Sequence, residues 1–184
     1  NMQGIGEVEY RVVEDNPEGY LEVKQDDGSD YTWTFVNVST TSLNVEKKWA
    51  GVASDSLGAV VVQLYRSTDG LTTNGTPVEG KTLTLSTGNW TGTFGNLPAY
   101  DADGKQYTYY AKEVSMGGVP VDSNDFDFIV TYDPDKSDNV FTIINTRKTE
   151  VIGTKTWVGG SDSSIQLNLY RTTYAQADEN SNTW

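Results

Sequence analysis

Val60-Val61-Val62-Gln63-Leu64-Tyr65 decides the fold class. A run of β-branched and aromatic residues suits the pleated, half-buried surface of a strand. Working outward, Leu83, Leu85, Trp90 and Phe94 sit among Thr, Ser and Gly, while Tyr107-Thr108-Tyr109-Tyr110-Ala111 and Phe126-Asp127-Phe128-Ile129-Val130-Thr131-Tyr132 alternate as half-buried strands do. Turn signals separate them at Thr68-Asp69-Gly70, Asn74-Gly75, Asp101-Ala102-Asp103-Gly104, Gly117-Gly118 and Asp133-Pro134-Asp135. No window carries an apolar stripe at helical spacing. Short strands with turns at regular intervals predict an all-β sandwich.

The chain also repeats itself, out of phase with its own ends. Val45-Glu46-Lys47-Lys48-Trp49 returns as Gly153-Thr154-Lys155-Thr156-Trp157, and Gln63-Leu64-Tyr65-Arg66 returns as Asn168-Leu169-Tyr170-Arg171. Tyr10-Arg11-Val12-Val13-Glu14 matches Tyr109-Tyr110-Ala111-Lys112-Glu113, and Phe35-Val36-Asn37 matches Ile143-Ile144-Asn145. The lysines and the asparagines share one offset of 108 residues (155 less 47, and 145 less 37). Repetition at this length means an array of small domains, an organisation common in mechanical and adhesive proteins. The expected division is the back of one module over 1–41, a complete module over 42–148 and the front of a third over 149–184. The polar stretches Ser39-Thr40-Thr41-Ser42 and Arg147-Lys148-Thr149-Glu150 are the expected links, short enough for a semi-rigid rod.

Composition narrows the function classes. The 184 residues are 36% hydrophobic with five Trp and eleven Tyr, enough for small sandwich cores. A net charge of −13 would repel phosphate, so nucleic acid is not an expected partner. Cysteine and histidine are both absent. Disulfides, Cys/His metal sites, Ser-His-Asp triads and Cys-His dyads are therefore excluded. No apolar run approaches membrane-spanning length, so no membrane contact is expected, and the front of the chain does not read as a signal peptide.

Three sets of residues carry a family resemblance: Lys155-Thr156-Trp157 at the expected opening of a strand; Asn89-Trp90 followed by Thr93-Phe94-Gly95-Asn96-Leu97-Pro98-Ala99-Tyr100-Asp101; and Ile144-Asn145-Thr146. With Glu9-Tyr10-Arg11-Val12-Val13-Glu14-Asp15-Asn16-Pro17-Glu18-Gly19-Tyr20 they resemble the B-type repeat domains (Cna-B) of Gram-positive collagen adhesins and pilins. The resemblance covers nearly the whole chain. It departs from the pattern at Ser115-Met116-Gly117-Gly118-Val119, which lacks the Pro-x-Gly-Tyr found after Glu14. It implies tandem inverse-immunoglobulin sandwiches in an extracellular stalk on a Gram-positive cell wall, with neighbouring modules of the same surface protein as partners. It leaves open both the host ligand of the parent adhesin and whether a sortase joins the chain into a pilus. It also implies a self-formed amide between a Lys and an Asn side chain, needing no cofactor, metal or partner enzyme.

Carried onto this sequence, the resemblance assigns Lys47 as nucleophile, Asn145 as acceptor and Glu113 as proton shuttle. Strand alternation agrees: Val45 and Trp49 share the side of Lys47, Tyr109 and Ala111 that of Glu113, and Phe141 and Ile143 that of Asn145. Each polar residue thus falls at an inward position, where an unpartnered group costs roughly 1–3 kcal/mol. Burial favours a neutral amine and a protonated carboxyl. A neutral Lys47 can attack an amide, and a protonated Glu113 is expected to hydrogen-bond the Asn145 oxygen and move protons to the leaving nitrogen. Taken singly, a strand Lys snorkels, a Glu faces water and an Asn near a strand end forms a turn. Lys48 is the rival nucleophile.

The front fragment holds Glu14 and Asn37 without a lysine equivalent, and the rear fragment holds Lys155 without an acid or an amide. Two readings follow. In one, Lys155 meets Asn37 of a neighbouring molecule, giving head-to-tail self-association. In the other, the fragments stand with exposed edges. The acidic loops at 101–104 and 133–135 do not match a calcium-loop pattern and read as solvated turns. A carbohydrate-binding sandwich using Trp and Tyr is the alternative function, although Trp49, Trp90 and Trp157 fall at recurring module positions that suit a core. One-turnover crosslinking is not enzymatic turnover, so no enzyme is expected.

Overall fold

The computed structural model describes residues 10–25, 32–135, 140–160 and 165–169. The chain divides into two compact units, 1–148 and 149–184. In chain order the strands are β1 (Tyr20–Gln25), β2 (Phe35–Ala50), β3 (Val60–Ser67), β4 (Thr76–Leu85), β5 (Thr91–Pro98), β6 (Thr108–Met116), β7 (Val119–Pro120), β8 (Phe128–Asp135) and β9 (Val140–Arg147). One 3₁₀ turn, Ser54–Ser56, is the only helical element among the described residues. Two sheets face each other: β1-β2-β9-β8, with β5 also on β2, and β4-β3-β6-β7.

Alternation builds the core. Val60, Val62 and Leu64 of β3 face inward with Leu43 and Val45 of β2, Ala111 of β6, and Phe141 and Ile143 of β9, while Tyr110 is buried on the other face of β6, stacked on Tyr65. Every pairing in the first unit is antiparallel except β2 with β9, which run parallel with Lys47 opposite Ile143 and Trp49 opposite Asn145. The strands that carry Lys47 and Asn145 are therefore direct neighbours. Glu113 reaches the same interior from the other sheet, where it lies opposite Val62.

Two expectations are corrected. Ser39–Ser42 is not a loop between modules. β2 runs through it without a break, held by Thr40 N–H to Gly19 O at 2.9 Å and by Ala99 N–H to Ser39 O at 2.8 Å. Polar residues tolerate a strand where both edges find backbone partners, and a register shift between Thr41 and Leu43 marks the join. Asp133-Pro134-Asp135 is likewise no turn, because it continues β8 opposite Thr142, Phe141 and Val140. β8 is an edge strand, where the missing proline N–H breaks no ladder. The Gly117-Gly118 turn holds: both residues take positive φ, 55° and 84°, in the two-residue link from β6 to β7.

The second unit shows no strand within 149–160 or 165–169. Lys155-Thr156-Trp157 thus does not open a strand in this structure. Tyr170 and Arg171 lie outside the described residues.

Gly75 shows how closely the loop from β3 to β4 is packed. Its N–H donates to the Tyr110 hydroxyl at 2.8 Å, and an added Cβ would press on the Arg66 carbonyl and lie 2.8 Å from Tyr110 Cε1. Gly75→Ala is expected to cost about 2 kcal/mol through overpacking, read as a lower urea midpoint with an unchanged slope.

Candidate self-crosslinking site

β2, β9 and β6 bring Lys47, Asn145 and Glu113 together inside the sandwich. Their relative exposures are 3%, 0% and 2%, so three polar side chains share a dry core. Lys47 Nζ lies 3.4 Å from Glu113 Oε2. Asn145 Nδ2 donates to Glu113 Oε1 at 2.8 Å. The lysine amine also faces the carbonyls of Lys48 at 3.2 Å and Ile143 at 3.4 Å. Parallel pairing explains the approach: Asn145 is two residues beyond the one opposite Lys47, and a lysine stem laid along the strand spans that offset. Lys48, one position on, points outward to a solvent-exposed ion pair with Glu46 at 3.0 Å.

Burial dominates the titration of both ionisable groups. Desolvation lowers the Lys47 pKa from 10.5 to about 8, with the Glu113 charge and hydrogen bond opposing it. Desolvation likewise raises the Glu113 carboxyl, against the Asn145 hydrogen bond and the Lys47 charge. The two shifts bring the pair toward sharing one proton between neutral partners.

One expected contact differs. Glu113 pairs with the amide nitrogen of Asn145 rather than its oxygen. The carboxyl bears on both the Lys47 and the Asn145 side-chain nitrogens, and Asn145 Oδ1 is left buried with no partner.

The front fragment repeats half of this arrangement. Asn37 Nδ2 donates to Glu14 Oε1 at 2.7 Å, part-buried. Asn37 Oδ1 and Glu14 Oε2 are left without partners, the same two atoms that lack hydrogen bonds at Asn145 and Glu113. Among the described residues no amine answers Glu14 as Lys47 answers Glu113. Lys155 belongs to the second unit, where its amine lies 4.8 Å from the centre of the Trp157 ring.

Sequence reasoning placed Trp49 in the core and gave it no part in the site. Its ring lies 4.3 Å from Lys47 Nζ and packs edge-on against Trp90 at 5.1 Å and Phe128 at 5.6 Å. The recurring Lys-x-Trp spacing at 47/49 and 155/157 was the available signal.

The sequence pattern of the Cna protein B-type domain matches residues 43–146. The chain belongs to this family. Its fold is similar to two solved pilus proteins. Against the pilus adhesin SpaC of Lactobacillus rhamnosus GG in its open conformation, identity is 21% and the TM-score 0.42, covering 66% of this chain and 14% of that one. Against the Corynebacterium diphtheriae major pilin SpaA, a structure described in terms of modular pilus assembly and stabilizing isopeptide bonds, identity is 17% and the TM-score 0.37, covering 72% of this chain and 37% of that one. The chain thus spans well under half the length of either. No curated protein matches it.

Lys47→Met removes the cation while keeping the stem. Glu113 then keeps a folded pKa raised above its ordinary 4.5, with the Asn145 hydrogen bond but no longer the Lys47 charge to lower it. Its stabilising protonated form is fully present below pH 4.5 and is lost as pH rises through the folded value. The variant is expected to be less stable at pH 8 than at pH 5, by about 3 kcal/mol for an unpaired buried carboxylate, as measured by urea unfolding at both pH values.

Proposed function

We propose that this chain is a stalk segment of a Gram-positive surface adhesin or pilin, stiffened by an amide bond that forms spontaneously between Lys47 and Asn145. The observation that carries this reading is the buried chain of contacts from Lys47 Nζ through both oxygens of Glu113 to Asn145 Nδ2. With the shared proton on Glu113, the Lys47 lone pair attacks Asn145 Cγ. Glu113 Oε2 accepts a proton from the attacking nitrogen, and Oε1 hands its own to Nδ2. Ammonia leaves, a secondary amide remains and Glu113 returns to its starting state. An open cleft lined by Lys47, Lys48, Trp49, Trp90 and residues 52–55 borders the lysine side of the site. Folding supplies the effective concentration that lets an inert amide react.

The bond would join adjacent parallel strands at the entry and exit of the module. Tension entering along β2 would cross to β9 through the new amide, leaving the intervening sandwich unloaded. A disulfide could serve similarly but would be sensitive to reduction, and this chain has no cysteine. The intact denatured mass is expected to fall short by one ammonia, with a branched peptide joining Lys47 to Asn145. Glu113→Ala should restore the full mass and lower the melting temperature by about 20 °C, because the lost crosslink closes a long loop. An unmodified wild-type mass, or a Glu113→Ala chain that still loses ammonia, contradicts the assignment.

The Glu14–Asn37 pair supports a second step, in which Lys155 of a neighbouring molecule supplies the amine and chains join head to tail. Covalent dimers and higher species are then expected in concentrated samples under denaturing conditions, and Lys155→Arg or Asn37→Ala should abolish them. A strictly monomeric mass at high concentration, together with monomeric light scattering, rules this step out.

A further inference from the structure

We propose that Trp49 is a further catalytic residue of the Lys47–Asn145 reaction, its indole N–H donating to Asn145 Oδ1 as negative charge develops there. This inference rests on the crosslinking reading above.

The observation behind it is a matched pair of unsatisfied atoms. Trp49 Nε1 is a buried donor without an acceptor, and Asn145 Oδ1 is a buried acceptor without a donor. The two residues sit directly opposite each other on adjacent parallel strands. Strands so paired are about 4.8 Å apart, well within reach of an indole. Buried polar groups rarely remain unpaired, so two complementary ones on facing residues call for an explanation.

Glu113 cannot provide that donor while it shuttles protons. Its Oε2 faces the attacking amine and its Oε1 holds the departing nitrogen. As the Lys47 lone pair forms the Nζ–Cγ bond, the carbonyl π pair moves onto Oδ1. The indole N–H stabilises that charge by hydrogen bonding and keeps its proton. Collapse restores the carbonyl and expels ammonia with the proton from Glu113. The hydrogen bond is absent in the unreacted state and forms with the charge, so it stabilises the transition state more than the ground state.

The ring is fixed for this task. Trp90 and Phe128 hold it edge-on from two sides, and its face lies under the Lys47 amine. The same Lys-over-Trp stacking recurs at Lys155 and Trp157, where no strand surrounds it. The Lys-x-Trp unit therefore brings its own local contact, which the complete module places beside the acceptor amide.

The test is the rate of ammonia loss after rapid refolding, followed by intact mass. It compares wild type, Trp49→Phe and a chain whose Trp49 indole is replaced by benzothiophene, which keeps the ring shape and exchanges N–H for sulfur. Removing one oxyanion donor should slow the reaction about 100-fold in both altered chains. Melting temperatures are compared in a Glu113→Gln background that does not crosslink, where indole and benzothiophene should be equal. Crosslinking at the wild-type rate by the benzothiophene chain overturns the role of Trp49 alone. Slower crosslinking with a lowered melting temperature assigns the effect to packing and also overturns it. A wild-type chain that never loses ammonia overturns the crosslinking reading, and this inference with it.

Discussion

The site depends on one constraint, the cost of holding the Lys47 amine in a dry interior beside Glu113. A charged ammonium there is opposed by desolvation and favoured by the carboxylate, the two backbone carbonyls and the indole face. Desolvation outweighs the favourable contacts, and the resulting balance leaves the amine's pKa lowered to about 8. The surrounding structure maintains that balance. Two sheets exclude water, parallel pairing of β2 with β9 lays the lysine toward the amide, and β6 delivers the carboxyl from the opposite layer.

The polar triad also links stability to chemistry. Two of its atoms, Glu113 Oε2 and Asn145 Oδ1, lack hydrogen bonds in the unreacted fold, and a buried unsatisfied group is destabilising. The proposed amide would replace a buried ion pair with a neutral group and remove the need to keep the amine desolvated. On the proposed reading, the unreacted chain would be an intermediate state whose unsatisfied polar core is relieved by covalent closure.

β2 gives the arrangement its longitudinal character. One uninterrupted strand carries Asn37 at its front end and Lys47 near its rear. The front pair Glu14–Asn37 and the complete triad are therefore connected by strand rather than by a flexible link. Hydrogen bonds from Thr40 to Gly19 and from Ala99 to Ser39 brace the join from both sides. A chain built this way resists bending where a polar loop would have allowed it.

The sequence by itself determined the strand alternation, the all-β class and the inward parity of Lys47, Glu113 and Asn145. Those properties follow from local period and residue type, which folding cannot change without turning apolar residues into water. The outward course of Lys48 followed from the same parity. Tertiary structure decided what depends on partners. Ser39–Ser42 and Asp133–Asp135 became strand because neighbouring backbone was available to them, while the segment around Lys155 did not, although its sequence matches a strand elsewhere. The orientation of the Asn145 amide and the unpaired Trp49 N–H were likewise invisible in the sequence. Hydrogen-bond partners across strands are set by register, and register is fixed only when the sheets close on a common core.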